Sequence, residues 1–495
     1  METFLIRALQ LILSLSILVV LHELGHFAFA RLFKVRVDKF YMFFNPNFSL
    51  IRAKKINGKW EVKFFAANVP ANERPKKDAD GDVMVDAKKK PVMEVIPASE
   101  LPDGDWRKYP DNTEWGIGWL PLGGYCKIAG MVDESMDTTQ MAEEPQPWEY
   151  RAQSVWKRLP IIIGGVLVNF ILAMVIYSAV LYTWGEEYLP LENAKYGLQF
   201  SKTMQATGFQ NGDKVVSVDG QAVEQRSDLI EKILIEGKRL VTVKRDSQQI
   251  DLQLPVDFAQ KVLASDEIDL VAIRHPFVIA EVTSGSSAEK ANLQAGDSII
   301  GINGKPLFIF QDIAAQLDVS KNAIITLDFV RKGKTLQAKT QVDENGKLGV
   351  AFYPYFKYLT TKRTEYGFFA AIPAGINLGW ETLTSYVKQM KLVFTKEGSK
   401  KLGGFGAIGK MFPKAWDWQV FWSMTALLSV ILAFMNFLPI PALDGGYVLF
   451  LLYEIITGRK PNDKFMEYAQ TAGMILLFAL LIFSNGNDIF KAIFK

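Results

Sequence analysis

Cysteine and histidine are nearly missing from this 495-residue chain, which holds one and three of them. A single thiol, Cys126, excludes an intramolecular disulfide and any paired-cysteine metal or redox site, and it reads as a small packing residue. Net charge is almost absent too, with 56 Lys and Arg against 53 Asp and Glu. No long basic run interleaved with aromatics occurs, so no nucleic-acid partner is expected. A phosphate loop is also missing. The nearest approach, KLGGFGAIGK at 401–410, follows Lys410 with Met411 where Ser or Thr is required, and it reads as a lipid-facing loop or hinge.

What the chain has in quantity is apolar: 49% of residues are hydrophobic, a share that points to membrane. About 20 apolar residues suffice to cross a bilayer, and four stretches qualify, roughly 4–30, 159–185, 418–453 and 467–488. The first resembles a signal-peptide core at 11–21, but it lacks a strongly basic start and a small-x-small cleavage site, so it is read as a retained span. Lys and Arg cluster after the first stretch (Arg31, Lys34, Arg36, Lys39) and before the second (Arg151, Lys157, Arg158). A further cluster, Arg459, Lys460 and Lys464, separates the third from the fourth. Four spans place all of these on one side, the cytoplasmic one. Both termini and residues 186–417 then lie outside.

Two of the three histidines sit within the first stretch, in VVLHELGHFAFAR at 19–31. Residues four apart share a helix face, so His22 and His26 can present two ring nitrogens to one metal ion. Glu23 beside them can reach a water on that ion. Two neutral imidazoles suit Zn²⁺, which lowers the pKa of its water to about 7 while the carboxylate takes the proton. The chemistry implied is metal-assisted peptide hydrolysis. Ionisable groups inside a membrane cost about 3 kcal/mol each on insertion scales, and they are usually functional. His275 stands alone and reads as a solvated surface histidine.

After the first span, residues 35–67 alternate apolar and polar as strands do. A polar insert at 70–112, with a KKK run at 88–90, has the composition of a solvated excursion. WGIGWLPLGGYCKIAG at 115–130 then returns as an apolar, glycine-punctuated strand pair, too short for a spanning helix. It can enter a membrane only where protein or a water-filled cavity satisfies its backbone. Its edge near Gly123, Gly124, Tyr125 and on to Lys127 can hold a substrate extended by adding it as another strand. In the second span, GGVLVNF at 164–170 supplies small residues for close helix approach and an amide, Asn169, for an interhelical hydrogen bond. Packing against the motif helix is expected of it, and catalysis is not.

GDKVVSVDGQAV at 212–223 and GDSIIGINGKPL at 296–307 repeat at a distance of 84 residues. Each reads as a turn, a half-buried strand and an Asp-Gly or Asn-Gly hairpin turn, followed by a helix-like stretch. The pattern resembles tandem PDZ domains, modules that bind extended peptides on a sheet edge. Residues 367–394, with Pro373 and Glu381, read as an amphipathic membrane-surface segment. Asp444 is the only acid in NFLPIPALDGGYVLF at 436–450. Two histidines leave a catalytic zinc one protein ligand short, and Pro439 and Pro441 interrupt the helix nearby. An acid in an unwound stretch at membrane depth reads as the third ligand, the alternative being a helix-capping aspartate.

HELGH in a first span, PLGGY, the PDZ-like repeats and NxxPxPxLDG in a third span together resemble the site-2 protease family of intramembrane zinc metalloproteases. The layout is that of the bacterial regulator-of-sigma-E type, and the resemblance covers nearly the whole chain. It implies a multi-span α-helical membrane protein with four transmembrane helices, a membrane-associated, re-entrant β-loop and two inserted PDZ-like β domains. It implies Zn²⁺ held by His22, His26 and Asp444, Glu23 as general base, and Asn436 as a holder of substrate backbone. The location implied is a bacterial inner membrane, with the PDZ-like pair periplasmic and the active site in the membrane near the cytoplasmic side. Its substrates would be single-span membrane proteins already trimmed by another protease, such as anti-sigma factors or signal-peptide remnants, with the PDZ pair as a size filter. The expected divisions are 1–34, 35–150, 151–185, 186–270, 271–356, 357–417, 418–453 and 454–495. Two departures stand out: the family's Gly-x-Gly near the start of the β-loop is here FFNP, Phe43 to Pro46, and the 70–112 insert is long. Two rival readings are a catalytically inactive PDZ scaffold of the membrane, for which Glu23 and Asp444 are dispensable, and a metal transporter, disfavoured because no second intramembrane site is read in the sequence.

Overall fold

Apolar runs of this length can satisfy their backbone in lipid only as helices or closed barrels, and each becomes helical. The computed structural model describes residues 2–69, 73–76, 83–85, 91–121, 123–131, 144–265, 267 and 269–494. We label the helices used below α1 (Glu2–Leu32), α2 (Val155–Trp184), α3 (Phe368–Val393), α4 (Phe405–Met411), α5 (Trp418–Phe437), α6 (Asp444–Thr457) and α7 (Asp463–Phe494). Among the described residues, α1, α2, α5 and the 464–493 part of α7 are long and apolar enough to cross a membrane. The third expected stretch is split. Helix α5 stops at Phe437 and the helix resumes only at Asp444, because Pro439 and Pro441 cannot donate the hydrogen bonds that continuity needs.

The chain divides into two compact units. The first comprises Met1–Trp184, Tyr366–Thr384 and Gly403–Lys495. It combines the long helices with a five-stranded sheet of β1 (Val37–Met42), β2 (Phe48–Ile56), β3 (Lys59–Ala67), β4 (Glu114–Ile117) and β5 (Tyr125–Ile128), in the order β3-β2-β4-β1-β5. Strands β4 and β5 were expected to pair with each other. Instead β1 lies between them, parallel to β4 and antiparallel to β5. Glycine on β4 is the physical reason: Gly116 has no side chain to collide with the Tyr41 ring, and the turn residue Gly118 leaves room for the Phe44 carbonyl. The backbone of Phe43 and Phe44 in FFNP is thus accommodated by Gly118, just beyond the end of β4. Phe43 takes a positive φ of 70° there. Leu122 of PLGGY and the 88–90 lysines lie outside the described residues.

The described end of the polar insert departs from the expected solvated excursion. Leu101 and Trp106 are buried. Arg52 and Lys63 stand 4.8 and 4.7 Å from the Trp106 ring, and its indole N–H donates to Glu61 at 2.9 Å. An aromatic ring between two cations offsets the cost of covering a charged sheet face.

The second unit comprises Gly185–Glu365 and Ser385–Leu402. Its two repeats have one topology. Each builds a four-stranded sheet in the same order, from 221–222, 214–218, 240–245 and 248–253 in one and 305–306, 298–302, 324–331 and 334–341 in the other. Both hairpin turns adopt the positive φ pairs that Asp-Gly and Asn-Gly favour, at Asp219–Gly220 and Asn303–Gly304. The Asp of each G-D pair, Asp213 or Asp297, is buried and chelated by an arginine, Arg245 or Arg331. The strand Val271–Ile273 was assigned to the second repeat at 271–356, yet it pairs with Leu198–Phe200 and closes the first. His275 is also corrected: it is 6% exposed, stacked on Phe310 at 5.2 Å, because aromatic residues from a helix and a strand enclose it. The 357–417 segment is not one body, since Lys362–Thr364 pairs with Glu186–Tyr188 in this unit while Tyr366–Thr384 packs in the first.

Candidate metal centre

The motif on α1 faces two glycines on α2. Any side chain at Gly25 would collide with the Gly164 carbonyl, and one at Gly165 would collide with the rings of His26 and His22. Three positions without a Cβ let two helix backbones approach closely. The imidazoles fill the space that this leaves.

Each ring is oriented from α2. His26 Nδ1 lies 2.9 Å from the Ile161 carbonyl, so Nδ1 carries the proton and Nε2 is left with its lone pair. His22 Nδ1 lies 3.3 Å from the side-chain amide of Asn169, whose Oδ1 is buried without a partner. A half-turn of that amide brings Oδ1 to His22 Nδ1 and pairs both groups. Asn169 therefore does more than pack. The GG-x-x-x-N spacing on α2 was the signal for this, legible once the span is placed beside α1.

The third element comes from the break after α5. Residues 438–443 fold back over the start of α6: Gly445 has no side chain to strike the Leu438 and Phe437 carbonyls, and Ala442 takes a φ of 75°. Helix α6 begins with Asp444, whose charge is favoured in a helix's first turn. On α7, Gly473 lets that helix close against Pro441. Asp444 Oδ2 comes to 3.3 Å from His22 Nε2 and 3.4 Å from His26 Nε2, while the two Nε2 atoms are 3.2 Å apart.

This triangle tests the metal reading. Ligands bonded to zinc at about 2.0–2.1 Å in tetrahedral array stand roughly 3.3–3.4 Å from one another. The three edges agree with that spacing. Asp444 Oδ2 is buried and, among the described residues, makes no hydrogen bond, as suits an atom that would ligate a cation. Among the described residues, His22, His26 and Asp444 form a group able to hold a metal ion.

Of the remaining expected site residues, Glu23 and Asn436 stand beside the ligands, and Gly123, Gly124 and Tyr125 lie at the start of β5. The Glu23 carboxylate accepts a hydrogen bond from the backbone N–H of Cys126 on β5, which ties the edge strand to the motif. Gly124 packs between Val19 of α1 and the Tyr41 carbonyl, and Gly123 has a φ of 143° beside the Phe44 ring. Tyr125 differs from the other two. Its hydroxyl donates to Asn45 Oδ1 at 3.0 Å and its ring stacks on Tyr41 at 5.2 Å, so at the sheet edge it contributes backbone. The Asn436 amide nitrogen lies 3.3 Å from His22 Nε2.

Comparison with known proteins points to one family. The family model described as Peptidase family M50 matches residues 10–94 and 105–480. A protein of Ralstonia nicotianae named "Putative zinc metalloprotease RSc1411" is 24% identical over 98% of this chain and 99% of its own length. Protease RseP of Yersinia pestis and regulator of sigma-E protease RseP of Salmonella typhimurium are each 28% identical, over 77% of this chain and 88% of their own.

Proposed function

Because this chain belongs to peptidase family M50 and is a zinc metalloprotease, we propose that it hydrolyses peptide bonds inside the transmembrane segments of single-span membrane proteins, after a first cleavage has shortened them. His22, His26 and Asp444 would hold the zinc. Bound there, zinc supplies Lewis-acid activation of water and of the scissile carbonyl. Glu23 takes the proton from the attacking water and delivers it to the leaving amine. Its link to Cys126 N–H keeps the carboxylate beside β5. The substrate lies extended along Gly123 and Gly124 and on to Tyr125 at the start of β5, because a helix shields its carbonyls and must be unwound first. Asn436, next to His22, donates to the substrate backbone.

The observation that carries this reading is the convergence of three ligand atoms at zinc-like spacing, with a carboxylate one residue from the first histidine. The location proposed is a bacterial inner membrane, with the repeats acting as periplasmic PDZ domains that filter substrates by size. Anti-sigma factors and signal-peptide remnants are the substrate classes of the right form. The test is cleavage of a tagged single-span substrate: Glu23→Gln should abolish it while zinc stays near one per chain. No cleavage by the wild-type chain would favour the inactive-scaffold alternative, and cleavage by Glu23→Gln at the wild-type rate would overturn the mechanism proposed.

A further inference from the structure

At the end of the first unit where α2 starts, α6 stops and α7 starts, the helices enclose a cavity of about 400 Å³. Met131, Phe450, Leu451 and Met466 make most of its wall apolar. Its polar part is built around Arg158, which is 7% exposed and donates to Glu454 across the α2–α6 contact. Among the described residues, Arg158 Nε has no hydrogen-bond partner, and neither does the hydroxyl of Tyr150, whose ring lies 5.9 Å from the guanidinium. Two unpaired buried donors in one wall mark a place short of acceptors. Lys460 and Arg151 line the same cavity, with Lys460 Nζ 3.0 Å from the Arg151 carbonyl and Arg151 backed by Glu149. Among the described residues, three cations thus stand against two lining carboxylates, Glu454 and Glu467.

The surroundings indicate the ligand. Two of the three Lys and Arg clusters of the chain, 151–158 and 459–464, flank this cavity, which puts it at headgroup level in a bilayer. Basic pockets between transmembrane helices at that level take phospholipid headgroups. We propose that the cavity binds an anionic glycerophospholipid, its phosphate accepting from Arg158, Arg151 and Lys460 and its acyl stems lying on Phe450, Leu451 and Met466. The ligand shares Arg158 with Glu454 and so bears on the contact between α2 and α6. The inference depends on the chain lying in a bilayer and is independent of the metal centre.

Native mass spectrometry of the full chain in detergent, titrated with phosphatidylglycerol, tests this. Wild type should retain a phosphatidylglycerol adduct that phosphatidylcholine does not replace. Arg151→Glu with Lys460→Glu should weaken it about tenfold or more, and Tyr150→Phe, which removes one oxygen and leaves packing intact, about threefold. Lys157→Glu, exposed on the same turn of α2 and outside the cavity, should leave it unchanged. Equal retention by the double variant, or equal retention of phosphatidylcholine, would overturn the proposal. Displacement of the lipid by inorganic phosphate at matching concentration would assign the site to free phosphate instead and equally overturn it.

Discussion

The two imidazoles of the metal centre owe their orientation to partners on α2, the Ile161 carbonyl for His26 and the Asn169 amide for His22. Such partners fix the tautomer that leaves Nε2 free, and their loss costs about 10–100-fold in metal affinity. Asn169→Ala should therefore weaken zinc binding by about that factor, read by competition with a chelator of known affinity, while the helices remain folded. Unchanged affinity would reduce Asn169 to packing. His275 offers a test away from the metal. Burial among Phe277, Phe310 and Phe352 holds its imidazole below the ordinary histidine range. The unfolded chain then binds the proton more tightly than the folded one, so this stabilisation is complete above pH of about 6.5 and is lost as pH falls through the lower folded value. Thermal unfolding of the second unit should shift down on acidification from pH 7 towards 5, and less so in His275→Phe.

Among the elements, the contacts that matter are made by glycine. Gly25, Gly164 and Gly165 set the distance between α1 and α2, and Gly124 seats β5 on Val19. A larger residue at Gly124 should push the edge strand away from Glu23 while leaving the three metal ligands in place. Displacement near 1 Å costs about 100-fold in rate, so Gly124→Val should lose cleavage by roughly that factor with zinc content intact. Zinc loss in that variant would tie β5 to the ligands instead. Gly473 has the same role between α7 and the Pro441 loop. Gly473→Leu should destabilise the first unit by about 1–3 kcal/mol through overpacking, measured by thermal unfolding in detergent.

For the molecule as a whole, the longer segment of the second unit, Gly185–Glu365, begins and ends at adjacent points. Glu186–Tyr188 and Lys362–Thr364 form an antiparallel pair, with Tyr188 opposite Lys362. Residues 189–361 can therefore be replaced by a short linker without stretching the ends, since paired strands lie only about 5 Å apart. If the repeats are a size filter, this deletion should let the enzyme cleave single-span substrates that still carry their outer domain. Wild type should leave those intact and cut only the trimmed form. Unaltered discrimination in a gel assay of both substrates would assign the repeats another role.

Local rules reached a long way here. Twenty or more apolar residues have few structures open to them in lipid, residues four apart share a helix face, and Asp-Gly and Asn-Gly turn tightly, so the long helices, the His22–His26 pair and the two repeats were legible from composition and spacing. Asp444 was legible as the one acid in an apolar, proline-broken stretch. What only the tertiary structure decided was proximity. Asp444 meets His22 and His26 because glycines on four helices remove the side chains that would hold them apart. The insertion of β1 between β4 and β5, the burial of His275, the arginine partners of Asp213 and Asp297, and the role of Asn169 all depend on surfaces distant in sequence. Periodicity says which face a residue takes, and it carries no information about which other face will be packed against it.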